Sequence, residues 1–189
     1  MEHALRSGFL FVAVFAALTL YSPHAQAATH IYLIRGFANI FSTGLDTLAG
    51  ELAARGYKAE VHNHIEVGSL AVEAAKRQKT HKGAVIIIGH SLGADAAISM
   101  AETMKQEHAK VLLLVTFGPS DKYKVPSNVA HAINYYHGES TLSKGRGFTG
   151  TIDNVNLNKK NGINHFNVEK IERLHAQVIA KIRALSRAR

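Results

Sequence analysis

The residues most able to do chemistry in this chain are Gly89-His90-Ser91-Leu92-Gly93. A hydroxyl with glycine two residues to either side suits a sharp turn that presents it as a nucleophile. The pentapeptide has only three fixed positions, so its surroundings carry the reading. An apolar, β-branched run from Ala84 to Ile88 leads into it, and Ala97, Met100, Ala101 and Met104 follow at helical spacing. On such a strand–turn–helix elbow the serine adopts a strained backbone, and side chains at 89 and 93 would collide with it. Ser91 then stands at a helix N-terminus, where backbone N–H groups and the helix dipole favour negative charge. The Leu92 N–H is one expected oxyanion donor.

A serine hydroxyl is a poor nucleophile without a base. Downstream candidates are His108, His131, His137, His165 and His175. His108 falls near the end of the helix after the elbow, His131 begins a strand, and His175 lies within the last helix. His165, in Gly162-Ile163-Asn164-His165-Phe166, occupies the loop before that helix and is the expected base. A carboxylate should orient the imidazole and stabilise its cation. Asp121 and Glu139 each follow a strand and lie between serine and histidine in chain order. Asp121 is slightly favoured, Glu139 is the runner-up, and Asp153 is a third option. The second oxyanion donor is expected after the first strand, where Gly36 permits close approach and the Phe37 N–H follows. His62 and His64 would share one face of a strand. Two ligands without a third do not make a metal site, so no metal and no cofactor is expected.

The elements that must position these groups alternate. Ile31–Ile34 reads as a strand, and Leu45, Leu48, Ala49 and Leu52 as a helix capped by Ser42 or Thr43 and stopped by Gly56. Tyr57–Val61 reads as a strand and Leu70–Lys79 as a helix. Ala84–Ile88, Val111–Phe117 and Ala132–Tyr136 read as buried strands of a parallel sheet. Val168, Ile171, Leu174, Val178, Ile182 and Leu185 form the stripe of a final helix. Residues 138–162, rich in Gly, Asn and Lys, read as a long loop with a short strand near Ile152–Leu157. Strands alternating with helices imply a layered α/β sheet.

Composition bounds the rest. At 189 residues and 47% hydrophobic, the chain has material for one packed core. It has no cysteine, which excludes thiol catalysis and disulfides. Residues 1–27 have the layout of a secretory signal peptide: a short n-region, an apolar run from Gly8 to Tyr21, and Ala25-Gln26-Ala27 as the cleavage site. The expectation is an exported protein, periplasmic or secreted, with one domain over 28–189. Net charge is +8 with histidine neutral, with Lys170, Arg173, Lys181, Arg183, Arg187 and Arg189 crowded near the C-terminus. Such a surface could contact anionic polymers or membranes, though a solvated helix face is the simpler account. No nucleic-acid motif accompanies it, and no obligate protein partner is evident.

Taken together, Gly36, Phe41-Ser42-Thr43-Gly44-Leu45-Asp46, Gly89-His90-Ser91-Leu92-Gly93-Ala94 and His165-Phe166 resemble the α/β-hydrolase superfamily, in its lipase, esterase and thioesterase branch. Val125-Pro126 through Asn134-Tyr135-Tyr136 is similar to small bacterial lipase-like proteins. The resemblance implies a three-layer sandwich around a mostly parallel sheet, in a minimal version without a large lid. It also implies a small-molecule or lipid ester or thioester substrate, an acyl-enzyme on Ser91, and water activated by His165. A catalytically degenerate relative that binds an anionic ligand, polymer or membrane surface is the alternative. The chain departs from the family at Arg35-Gly36, where lipases carry His-Gly, and at Gly118-Pro119, where Asp-Pro is expected. The short connection from Phe117 to Ala132 implies an open, shallow site, partly covered by residues 138–161.

Overall fold

Residues 29–37, 42–160 and 162–188 are described by the computed structural model. The signal-peptide reading of residues 1–27 lies outside them. Twelve helices and strands follow one another: β1 (His30–Arg35), α1 (Gly44–Ala53), β2 (Lys58–Asn63), α2 (Val67–His81), β3 (Val85–His90), α3 (Leu92–Gln106), β4 (Val111–Phe117), β5 (Tyr123–Val125), β6 (Val129–Tyr136), β7 (Leu142–Lys144), β8 (Thr151–Asn156) and α4 (Glu172–Arg187). Six strands form one sheet in the order β2-β1-β3-β4-β6-β8. Every neighbouring pair in it is parallel.

The strand period of two divides the core between the two faces. Ile31 and Leu33 of β1, with Ile86 and Ile88 of β3, face Leu45, Leu48 and Leu52 of α1 and Leu174, Val178 and Ile182 of α4. Tyr32, Ile34, Val85 and Ile87 point the other way, onto Leu70, Ala71 and Ala74 of α2 and Ala97, Met100, Ala101 and Met104 of α3. β3 is buried along its whole length. This is the expected three-layer α/β sandwich.

Strict strand–helix alternation fails after β4. No helix lies between β4 and β6, or between β6 and β8. Instead β5 and β7, one from each crossover, pair in parallel as a separate ribbon. Val125, Leu142 and Phe148 join the core layer that contains α2 and α3. These segments are short and carry Gly and Pro, so an extended crossover covers the sheet where a helix would need a longer run. The stretch expected as a long covering loop is thus spent on β7, the ribbon, and β8, an edge strand. A polar ladder ties these pieces. Buried Asn134 accepts from Thr116 Oγ1 (2.8 Å) and donates to Asn154 Oδ1 (3.0 Å), and Asn154 bonds both backbone groups of Leu142.

Two helix ends also differ from expectation. Thr43 is the N-cap of α1, yet no side chain caps that helix, and Ser42 bonds elsewhere. The final stripe begins before its helix. Val168–Lys170 is a single 3-10 turn, Ile171 is extended, and α4 starts at Glu172. Val168 is buried in the same core layer as α4, so burial of the stripe does not require one continuous helix.

Because all six strands run the same way, the loops after them gather at one edge. β2 lies on one side of β1, and β3 with the later strands on the other. Chain order therefore reverses between β1 and β3, the kind of crevice where open α/β sheets place their ligands. Gly36 and Ser91 stand at its two lips. Among the described residues, no helix is long and apolar enough to cross a membrane.

Candidate active site

β3 ends at His90, and Ser91 turns the chain into α3 with φ 57° and ψ −128°. A non-glycine residue held there costs about 1–3 kcal/mol, so its surroundings must over-determine it. They do so by hydrogen bonds: Ser91 N–H donates to Phe117 O (3.0 Å), and Ser91 O accepts from the N–H groups of Ala94 and Asp95. At the two glycines the nearest atoms are backbone of neighbouring elements. A Cβ on Gly89 would lie 2.1 Å from Gly93 O, and one on Gly93 would lie 2.1 Å from Ile34 O. Their absence lets the first turn of α3 sit directly on β3 and β1, which draws Ser91 to the switch point.

The turn after β1 reaches the same place. A Cβ on Gly36 would meet Ser91 Cβ at 3.2 Å and Leu92 N at 3.5 Å. The Phe37 peptide therefore follows a residue in contact with the elbow. Leu92 supplies the first N–H of α3, one of the amides a helix leaves without an internal acceptor.

His165 comes from the loop between β8 and α4. Asparagines shape that loop: Asn167 Oδ1 accepts from Asn164 N–H, Asn164 Oδ1 accepts from Phe166 N–H, and Asn167 Nδ2 donates to Gly162 O. Such local bonds turn the chain without a regular element. They set His165 Nε2 2.9 Å from Ser91 Oγ. The imidazole titrates below its ordinary range, first because burial disfavours the cation and then because His137 adds positive charge nearby, with Asp95 opposing. That shift favours the neutral imidazole, the form in which a histidine can accept a proton.

The carboxylates expected to orient it are occupied elsewhere. Asp121 Oδ1 accepts from the neighbouring Lys122 N–H. Glu139 pairs with Lys122 Nζ at 2.7 Å and is largely exposed. Asp153 lies near Lys181. Among the described residues no carboxylate hydrogen-bonds to His165. Its Nδ1 edge faces Gly118, where a Cβ would lie only 3.0 Å from Nδ1. Among the described residues, the carboxylate whose charge reaches the ring is Asp95, which accepts from Ser120 N–H (2.9 Å) and Oγ–H (2.6 Å). Asp95 is not among the carboxylates expected from the sequence. Its signal was present, because a residue four past Ser91 lies on the same face of the first turn of α3.

Asp121→Asn and Glu139→Gln are each expected to leave ester turnover within about twofold of wild type. A working triad carboxylate, when neutralised, costs ~10⁴-fold. A loss of that order in either variant, measured as kcat/KM, would mean that substrate brings that side chain to His165.

Each site residue has an exposed apolar neighbour in sequence or is one itself. Phe37 is 69%, Leu92 40% and Phe166 67% exposed. Large exposed side chains gathered at one edge are the exception on a protein surface rather than its norm. Clefts of about 430 and 800 Å³ lie elsewhere, lined respectively by residues such as Val111 and Asn128, and Tyr57 and Arg183.

Fold and site together define a three-layer α/β protein with a serine at an elbow facing a histidine. No protein-family model matches the chain, and no curated protein does. Among solved structures it is similar to the NocB thioesterase domain from the nocardicin cluster. Identity is 13%, the match covers 84% of this chain and 94% of that one, and the TM-score is 0.46. The fold class stated above rests on this chain's own strand order, registers and helix layers.

Proposed function

We propose that this protein is a serine hydrolase that cleaves carboxylic ester or thioester bonds through an acyl-enzyme on Ser91. The single observation carrying this reading is the 2.9 Å approach of His165 Nε2 to Ser91 Oγ, on a backbone strained into an elbow. In the first half-reaction His165 Nε2 takes the hydroxyl proton while Oγ bonds to the substrate carbonyl carbon. The carbonyl oxygen becomes an oxyanion, which the N–H groups of Leu92 and Phe37 receive. When the carbon–oxygen or carbon–sulfur bond breaks, His165 returns the proton to the leaving alcohol or thiol. Water then attacks the acyl carbon with His165 again as base, and the Oγ–carbon bond breaks as the serine recovers its proton. Phe37, Leu92 and Phe166 offer an apolar surface for the acyl part.

Labelling with a fluorophosphonate probe tests the reading. Stoichiometric covalent modification at Ser91 is the expected result. A folded protein that takes up no label would reject it.

The pH dependence of that labelling follows from the environment of His165. The base works neutral, and burial with His137 nearby lowers its pKa from the ordinary 6.5. The labelling rate should follow the neutral imidazole, with its midpoint below 6.5 and a fall of about tenfold per pH unit on the acid side of that midpoint. A midpoint above 6.5 would contradict a desolvated imidazole.

A non-catalytic reading has its own support. Among the described residues no carboxylate hydrogen-bonds to His165, and Arg55, Arg183 and Arg187 line the 800 Å³ cleft with no acidic residue among its lining. Under that reading the protein binds an anionic polymer or membrane surface. Salt-sensitive retention on such a surface, undiminished in Ser91→Ala and without labelling of wild type, would favour it.

A further inference from the structure

His90 is the last residue of β3, directly before Ser91, and is buried, 2% exposed. Its two ring nitrogens reach opposite sides of the site. Nε2 is 2.9 Å from His165 O, and Nδ1 is 2.9 Å from Ser42 Oγ. A carbonyl oxygen only accepts, so Nε2 must carry the ring hydrogen. In the neutral ring, which burial favours, Nδ1 is then bare and accepts, so the Ser42 hydroxyl donates to it. Ser42 Oγ in turn accepts from Gly36 N–H at 3.1 Å. Every hydrogen in the chain is thereby assigned, in one direction: Gly36 N–H to Ser42, Ser42 O–H to His90, His90 N–H to the carbonyl of His165.

The consequence is geometric. That chain joins the turn preceding Phe37, the segment entering α1, the elbow and the base loop. We propose that His90 is a positioning residue: one neutral imidazole, locked as the Nε2–H tautomer, sets both the base loop and the oxyanion-side turn relative to Ser91. Burial supports this by pushing the His90 imidazole down to about 4, so the ring stays neutral wherever His165 works as a base. A second imidazole reinforces the same loop, since His137 Nε2 donates to Ile163 O at 3.2 Å. His165 thus sits on a loop whose backbone is held by two histidine donors. Ser42 takes part in this chain instead of capping α1, which accounts for a cap expected there and not found. The proposal rests on Ser91 and His165 being nucleophile and base.

The two ends of the chain can be cut separately. In His90→Asn the amide oxygen stands near the Nδ1 position and still accepts from Ser42, but nothing reaches His165 O. In His90→Gln the amide nitrogen reaches the Nε2 position and can donate to His165 O. The expected result is a ~10²-fold fall in fluorophosphonate labelling rate for His90→Asn, the scale of a misplacement of about 1 Å. With an ester substrate the loss should fall on kcat and leave KM nearly unchanged. His90→Gln should recover at least ~10-fold of the labelling rate. Folded His90→Asn that labels like wild type, or His90→Gln no better than His90→Asn, would overturn the proposal. Nitrogen-15 NMR of wild type at pH 7 supplies a test that needs neither activity nor a folded variant. A neutral ring protonated at Nε2 is expected, and a ring protonated at Nδ1 overturns the assignment. If wild type takes up no label while NMR finds the Nε2–H ring, the serine hydrolase reading fails and the hydrogen-bond chain stands. The positioning role would then fall with the hydrolase reading.

Discussion

Ser91→Ala should abolish fluorophosphonate labelling and lower ester turnover by ~10⁴–10⁶-fold, with the fold intact. Nucleophile and base act as a unit, so His165→Ala should cost about as much, and the double variant little more than either. Turnover left in all three would come from binding and from the Leu92 and Phe37 amides, which neither substitution removes. Folding is not at risk, because Ser91 is only half-buried and the one bond its hydroxyl makes is to His165. Ser91→Gly supplies an internal control. Glycine tolerates φ 57°, so it should be more stable than Ser91→Ala by about 1 kcal/mol while equally inactive. Circular dichroism and urea midpoints measure the first property, and labelling the second. Wild-type labelling rates in folded Ser91→Ala would move the nucleophile elsewhere.

The largest expected effect on stability lies two residues further on. Gly93→Val should lower stability by more than ~4 kcal/mol or prevent folding, because the added Cβ would meet backbone on three atoms. It would lie 2.1 Å from Ile34 O and 2.7 Å from both Ile34 C and Arg35 C. These belong to β1, which is hydrogen-bonded to β2 and β3 on either side and cannot withdraw. α3 would have to lift, exposing Ala97, Ala101 and Met104 and dragging Ser91 from the switch point. The comparison is Gly50→Ala in α1. Nothing lies within 4 Å of its Cβ position, and helix propensity should make that change stabilising by up to ~1 kcal/mol. Urea unfolding of both variants measures the contrast. A Gly93→Val protein as stable as wild type would show that α3 does not rest on β1.

The elbow was legible because all of its determinants are local. Residues 84 to 104 contain the apolar run, the spaced glycines and the helical stripe. The nearest neighbours of the two glycines are a different matter. The glycines clear backbone of α3 and β1, and contact between elements distant in sequence cannot be read from spacing. His165 was placed in the loop after the last strand, and a parallel sheet brings such loops to the edge that holds Ser91, where the two side chains meet.

What the sequence by itself determined is the main frame: β1 to β4, β6, β8, the four helices and the strand-to-helix turn at Ser91, but not the short ribbon strands β5 and β7. Their patterns repeat over a few residues and answer to burial, which is a local cost. What only the tertiary structure decided is how polar groups pair across loops. Asp121 and Glu139 lay in the right chain order, yet their hydrogen bonds go to Lys122. Gly118 faces the imidazole edge, the charge of Asp95 reaches that ring from α3, and Ser42 leaves α1 uncapped to bind His90. Strand order did not specify these pairings, because a hydrogen bond requires alignment within a few tenths of an ångström. The path of an irregular loop sets that alignment, and no periodic pattern in the sequence encodes such a path.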